Sequence, residues 1–237
     1  MMQWWGPDAI RFMRDASEYG DYYVRLAGRL MRWLPADGHV CDAGCGLGYL
    51  AQALARRCRR VTAIDRSEAA IAELRARAPE QNLTVLCEDL FAMPSAPQFD
   101  AMTFCYFGRI EELLRLTKRH CRGTAVVIKR DCREHRFSVD ASAAHRDIRP
   151  AAEAFLKERG IPFHAEKLEL ELGQPFRTME DAMTFFRLYN KGGELTAQWV
   201  ASRLTETGQA DYPLYLPEIR KMAILVLQAG DISEEWA

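Results

Sequence analysis

Acidic residues placed beside alternate glycines carry the chemical information in the N-terminal half of this chain. Residues 39–48 read His-Val-Cys-Asp-Ala-Gly-Cys-Gly-Leu-Gly, an apolar run that closes on Asp42 and breaks into Gly44, Gly46 and Gly48. Glycines so spaced let the backbone leave a strand sharply and approach a bound molecule, because no Cβ intervenes. Residues 49–55 favour helix, so the glycines fall at a strand-to-helix corner, the place where open parallel sheets hold nucleotide-type ligands. A dinucleotide would require Gly or Ala five positions beyond the first glycine, with a pyrophosphate on the helix N-terminus; this chain has Tyr49 there. Asp65 closes a second β-rich run, residues 61–65, 21 positions after Gly44. A carboxylate at that strand tip can accept hydrogen bonds from both hydroxyls of a ribose.

The pattern Asp42-x-Gly44-x-Gly46-x-Gly48 resembles motif I of the class I methyltransferases, which bind S-adenosylmethionine, a ligand with no phosphate to cradle. The resemblance implies a cofactor site formed by Asp42, Ala43, Gly44, Cys45 and Gly46 at the first corner and by Asp65 and Arg66 at the second. It further implies that Asp89 receives the adenine amino group and that the amide of Leu90 meets a ring nitrogen, since both follow the third strand, residues 83–87. Cys105, in the fourth strand at the reactive end, completes the set. The resemblance is strong over residues 38–131, moderate over the two terminal strands and general elsewhere; the product it implies is S-adenosylhomocysteine.

These residues need an α/β frame. The fourth run, Phe99 to Gly108, is almost wholly apolar, as buried parallel strands are, and a fifth follows at residues 124–128. A helix over residues 67–78 has Ser67 as N-cap. Residues 163–172 alternate, which predicts a strand with one wet face at or near a sheet edge, and residues 223–227 form the last strand. In the resembled family these last two pair antiparallel, giving a seven-stranded, mostly parallel sheet in the order 3-2-1-4-5-7-6 flanked by helices. We read residues 1–237 as one domain: an N-terminal helical lid segment (1–35), a Rossmann-like core (36–172), a helical cap insertion (173–218), and the last strand and tail (219–237).

Both added pieces are aromatic. Residues 7–34 carry apolar positions at helical spacing, the mark of a helix packed on the sheet; the alternative, compatible with it, is that Trp4, Trp5, Tyr19, Tyr22 or Tyr23, with Tyr23 the chosen candidate, also closes over the cofactor. Within the insertion, Thr178 caps a helix that ends at Tyr189 and presents Phe185, Phe186 and Tyr189; a second helix is expected over residues 194–204, and residues 173–176 as a hinge. These rings either thicken the core or cap a substrate cleft. As a cap, they suit a flat or partly apolar acceptor.

Methyl transfer from a sulfonium requires mainly an aligned nucleophile in a dry cleft, and a base only when the acceptor arrives protonated. Tyr106, His135 and His145 are the candidates, the histidines lying in a polar loop where solvated surface is the commoner fate. The fourth strand ends in Phe104-Cys105-Tyr106-Phe107, without the Asp/Asn-Pro-Pro-Tyr/Phe of exocyclic-amino methyltransferases. Cys105 also departs from the acids that hold magnesium in catechol-type enzymes, and no paired-glutamate loop is found. The expectation is a metal-free methyltransferase of a small molecule. A binding protein for the same cofactor without chemistry, and an RNA or protein methyltransferase, are the alternatives.

Bulk properties agree. The chain has 237 residues, 49% apolar, with a formal net charge of −1. It can bury a full core, and it lacks the basic surplus of a duplex-binding protein, which disfavours nucleic acid as partner. No apolar run reaches a membrane span and no signal peptide opens the chain, so a cytoplasmic location without a membrane partner is expected. Seven cysteines without a Cys-x-x-Cys point the same way, to reduced thiols. His39, Cys41 and Cys45 stand close in sequence, but strand and turn direct them apart, so no metal is expected. A homodimer is compatible with the sequence.

Overall fold

The computed structural model describes residues 5–140 and 148–236. Along the chain run α1 (Pro7–Tyr19), α2 (Tyr22–Leu30), β1 (His39–Ala43), α3 (Tyr49–Ala55), β2 (Arg60–Asp65), α4 (Glu68–Arg77), β3 (Leu83–Cys87), β4 (Phe99–Cys105), α5 (Ile110–His120) and β5 (Cys121–Arg130). Then come α6 (Arg149–Glu158), β6 (His164–Glu171), β7 (Gln174–Phe176), α7 (Met179–Tyr189), α8 (Ala197–Ala201), β8 (Thr205–Glu206), β9 (Leu214–Leu216) and β10 (Ile219–Gln228). The main sheet has seven strands in the order β3-β2-β1-β4-β5-β10-β6. β1 to β5 pair parallel, and β10 runs antiparallel to β5. This is the expected methyltransferase-type order, with the last strand inserted between the fifth and the sixth.

The central strands form because their residues are apolar on both faces and helices cover both. Val40, Val61, Ala101, Met102, Phe104, Val126, Val127 and Ile128 are all fully buried. At the edge, β6 alternates as read from the sequence, burying Leu168 and Leu170 between exposed Lys167, Glu169 and Glu171. Ser67 caps α4, its Oγ accepting from the Ala70 amide at 3.3 Å, and Thr178 caps α7, accepting from the Asp181 amide at 3.1 Å.

Internal contacts divide the chain into two compact units. The sheet unit comprises Tyr23–Asp131, Asp147–Leu168 and Met222–Ala237. The aromatic unit comprises Met1–Tyr22, Cys132–Arg146 and Glu169–Lys221. Its core is Phe12, Phe176, Ala182, Phe185, Phe186, Val200 and Leu216.

Several local readings change. The N-terminal segment is two helices, interrupted at Gly20. The helix expected over residues 194–204 is confined to Ala197–Ala201, because Thr196 starts it by accepting from the Trp199 amide and the chain leaves for β8 soon after. The insertion also holds a small sheet, β7-β9-β8. Residues 174–176, read as a hinge, are the buried strand β7. A Cβ on the neighbouring Gly173 would lie 2.1 Å from the Tyr215 hydroxyl, so close packing is what that glycine serves.

Candidate active site at the carboxyl ends of the parallel strands

The glycine turn is tied to the end of β2. Gly44 and Cys45 donate to the Ile64 carbonyl at 2.8 and 3.0 Å, and Gly46 donates to Asp65 Oδ2 at 2.9 Å. Asp65 Oδ1 accepts from the Ser67 amide at 2.9 Å. Both oxygens are thereby oriented by backbone donors, and each retains a second lone pair. Asp65 thus holds the turn and remains able to accept further hydrogen bonds.

The three glycines have different tasks. All take left-handed backbone, with φ of 68° at Gly44, 53° at Gly46 and 73° at Gly48. A Cβ at Gly44 would stand 2.1 Å from the Phe107 ring, and one at Gly48 would stand 2.4 Å from Leu74. Protein side chains therefore occupy the space that the first and third glycines leave. Arg77, unnoticed in the sequence, braces the turn: Nη2 donates to the Leu47 carbonyl at 2.5 Å, Nη1 to Gln52 Oε1 at 2.9 Å, and the guanidinium lies 3.9 Å from the centre of the Tyr49 ring. Tyr23 stacks on the same ring, centroids 5.7 Å apart and planes 22° apart.

Asp42 is buried at the end of β1. Its Oδ1 accepts from Thr103 Oγ1 at 3.0 Å across the β1–β4 pairing, whereas Oδ2 has no hydrogen-bond partner among the described residues. Burial pushes its carboxyl up to about 7; the Thr103 hydroxyl and, less, the Ala51 amide oppose the effect, and the nearby Asp65 charge adds to it. Thr103 could have been found in the sequence as the lone hydroxyl of an apolar strand. Ala43 is fully buried beside it. Cys45, half-buried, turns its Sγ to the Gly46 carbonyl at 3.6 Å. Burial pushes the thiols of Cys41, Cys45 and Cys105 far up, so all three are neutral.

Beyond β3, Asp89 Oδ1 accepts from the Phe91 amide at 3.0 Å, and its Oδ2 lies 4.0 Å from the Arg66 guanidinium. This brings Arg66 and Asp89 together, next in sequence to Asp65 and to the buried Leu90. Arg119 holds the following loop through the carbonyls of Phe91 and Met93 at 3.0 and 2.6 Å.

At the end of β4, Tyr106 has φ of 55°, the only non-glycine with positive φ among the described residues. Such backbone in a bulky residue is uncommon and gathers at functional sites. Of the histidines considered, His135 lies half-buried in the aromatic unit, with Nδ1 3.1 Å from Ser138 Oγ, and His145 falls outside the described residues. Phe185 and Phe186 are 4% and 0% exposed, and Tyr189 packs against Phe185 and Phe137. The structure places these three rings in the core of the aromatic unit.

Comparison with known proteins agrees with the fold. Residues 40–124 match the family described as Methyltransferase domain. The chain is 33% identical over 107 residues to a Ubiquinone biosynthesis O-methyltransferase of Alkalilimnicola ehrlichii, a match that takes in 43% of this chain and 41% of that protein. It is 34% identical over 94 residues to the S-adenosyl-L-methionine-dependent Diels-Alderase iccD of Talaromyces variabilis, covering 35% of this chain and 32% of that one. The matched stretch thus spans less than half the length of either relative. Among solved structures, the YcgJ protein of Bacillus subtilis superposes with a TM-score of 0.55 at 14% identity, covering 88% of this chain and 98% of its own. That likeness concerns the fold alone. The match over residues 40–124 and the strand order of the main sheet thus agree on a methyltransferase-type, Rossmann-like fold.

Proposed function

We propose that this protein transfers the methyl group of S-adenosylmethionine to a hydroxyl of a small, flat or partly apolar acceptor, without a metal. The observation that carries the reading is the row of acidic side chains at the carboxyl ends of β1, β2 and β3: Asp65 and Asp89 are oriented by backbone amides, and the buried Asp42 is bonded by Thr103 through Oδ1 while its Oδ2, on a carboxyl that the Ala51 amide also stabilises, makes no well-formed hydrogen bond among the described residues. A buried acceptor left unmatched is costly unless a ligand or water meets it. In this reading the turn at residues 42–46 seats the amino-acid portion of the cofactor. Asp65, with Arg66 beside it, takes the ribose, and Asp89 and Leu90 take the adenine. When bound, the cofactor supplies a methyl group already activated by its sulfonium.

Cys105 and Tyr106 then border the reacting end, and the chain's task there is alignment and exclusion of water. As the O–CH3 bond forms and the bond from the methyl to the sulfonium breaks, the hydroxyl proton of the acceptor passes to water; the Tyr106 phenol would orient the acceptor. The oxygen acceptor is favoured by the name of the Alkalilimnicola relative. The scattered cysteines support a cytoplasmic setting. A second reading, cofactor binding without methyl transfer, is favoured by the Talaromyces relative, named for a different reaction. Incubation with methyl-labelled S-adenosylmethionine and a panel of phenols, quinols and amines separates the two. Label in a small product with release of S-adenosylhomocysteine is expected; tight cofactor binding with no label in any acceptor would favour the second.

A further inference from the structure

Lys129 is 1% exposed. Lysine is almost never so buried unless its ammonium has a specific task, because taking the charge out of water is costly. Its Nζ donates to the Gly108 carbonyl at 2.5 Å. The preceding residue, Ile128, accepts from the Tyr106 amide through its carbonyl at 3.1 Å. The following residue, Arg130, places its guanidinium 5.0 Å from the centre of the Tyr106 ring. Three successive residues of β5 therefore grip one turn, residues 106–108, whose two ends both lie in left-handed backbone, with φ of 55° at Tyr106 and 59° at Gly108. Between them, Phe107 fills the space above Gly44, the first glycine of the cofactor turn.

We propose that Lys129 is a positioning residue: by holding the Gly108 carbonyl it keeps the turn after β4 in its left-handed form, and through Phe107 it keeps the glycine turn in shape for the cofactor. The inference rests on the methyltransferase reading for the identity of that ligand, but not for the mechanical link. A left-handed tyrosine is unfavourable by itself. It persists when the surroundings over-determine it, and the buried Nζ of Lys129, bonded to the Gly108 carbonyl, belongs to those surroundings. An uncharged aliphatic chain of similar length would leave the Gly108 carbonyl without this donor and free the turn to relax, which unseats Phe107.

The test is a thermodynamic cycle on the full chain with Lys129→Met, Phe107→Ala and the double variant. Two readouts are taken, calorimetric affinity for S-adenosylhomocysteine and amide hydrogen exchange. Each single change is expected to weaken the ligand about tenfold, with the double variant no weaker than either, since coupled residues are non-additive. Exchange at residues 106–109 should rise in Lys129→Met while β2 and β3 keep their protection. Lys129→Gln, which retains a donor, is run beside it and should recover part of both effects; it also carries the test if Lys129→Met does not fold. Additive losses, or unchanged exchange at residues 106–109, would overturn the proposal. If the wild type binds no S-adenosylhomocysteine, the methyltransferase reading fails, and the exchange data alone decide the role of Lys129.

Discussion

At the carboxyl ends of β2 and β3 the side chains are short, acidic and held by backbone amides, whereas in the aromatic unit large rings are held by one another. Asp65 is fixed by Gly46 and Ser67, and Asp89 by Phe91. Phe186 instead meets Phe185, Phe137 and Trp199 edge-on, with centroids 5.1–6.4 Å apart. The two arrangements serve different ends. A carboxylate positioned by a few amides keeps lone pairs for a ligand and contributes little cohesion, while interlocked rings contribute cohesion and leave few faces for a ligand. Substitutions should therefore separate binding from stability according to region.

The largest effect is expected at Phe186. Phe186→Ala empties a fully buried ring site and should cost about 3–5 kcal/mol in urea unfolding, with cofactor affinity of the folded protein unchanged. A selective loss of acceptor binding at near-normal stability would instead return these rings to a capping role.

Asp42 reverses the usual carboxylate behaviour and sharpens the contrast from the other side. Its proton is held more tightly in the folded protein, up to about 7, than in the unfolded chain, where the ordinary value of 3.8 applies. Below that ordinary value both states are protonated and nothing is lost. As pH rises toward 7 the unfolded state alone releases the proton, so the folded state loses stability, by on the order of 4 kcal/mol at most. Unfolding free energies of wild type and Asp42→Asn from pH 4 to 8 should diverge in that window, the variant lacking this fall. Parallel curves would mean that the carboxyl is better solvated than its burial implies.

Two glycines with similar backbone grade the smaller effects. Gly44→Ala forces a Cβ into the Phe107 ring at φ of 68°, whereas Gly160 at φ of 63° has open space where a Cβ would go. Gly160→Ala should cost about 1 kcal/mol for the left-handed backbone alone. Gly44→Ala should cost about 2 kcal/mol or more, with overpacking added. Equal shifts in melting temperature would show that Phe107 yields freely.

The first region was legible in the sequence because its signals are local. The glycine spacing and the acids closing each run are read within short windows, and Asp65, Ser67 and Asp89 accept from amides two or three residues on, although the tie from Gly46 to Asp65 spans 19 positions. Its braces were not legible. Thr103 meets Asp42 from 61 positions away, Arg77 reaches Leu47 from 30 and Lys129 reaches Gly108 from 21. Such pairings follow from strand register, which no short motif encodes. The aromatic unit was legible in its helices α1, α7 and, with over-long bounds, α8, where a 3.6-residue period or a capping threonine exists. Strands of two or three residues, one containing Pro175, are too short for alternation to register. The packing role of two of the glycines was likewise hidden: that Gly44 and Gly48 make room for Phe107 and Leu74 is a fact of tertiary structure.

The central claim is that the acidic strand ends hold an adenosyl ligand. It is tested most directly by calorimetric titration of wild type and Asp65→Ala with S-adenosylhomocysteine, with NAD as the control ligand. The wild type should bind the sulfur ligand and not NAD, and the variant should bind it about tenfold more weakly or worse, for the loss of charge-assisted hydrogen bonds, while still unfolding cooperatively. Equal affinity in the two proteins, or a response to NAD in place of S-adenosylhomocysteine, would contradict the account.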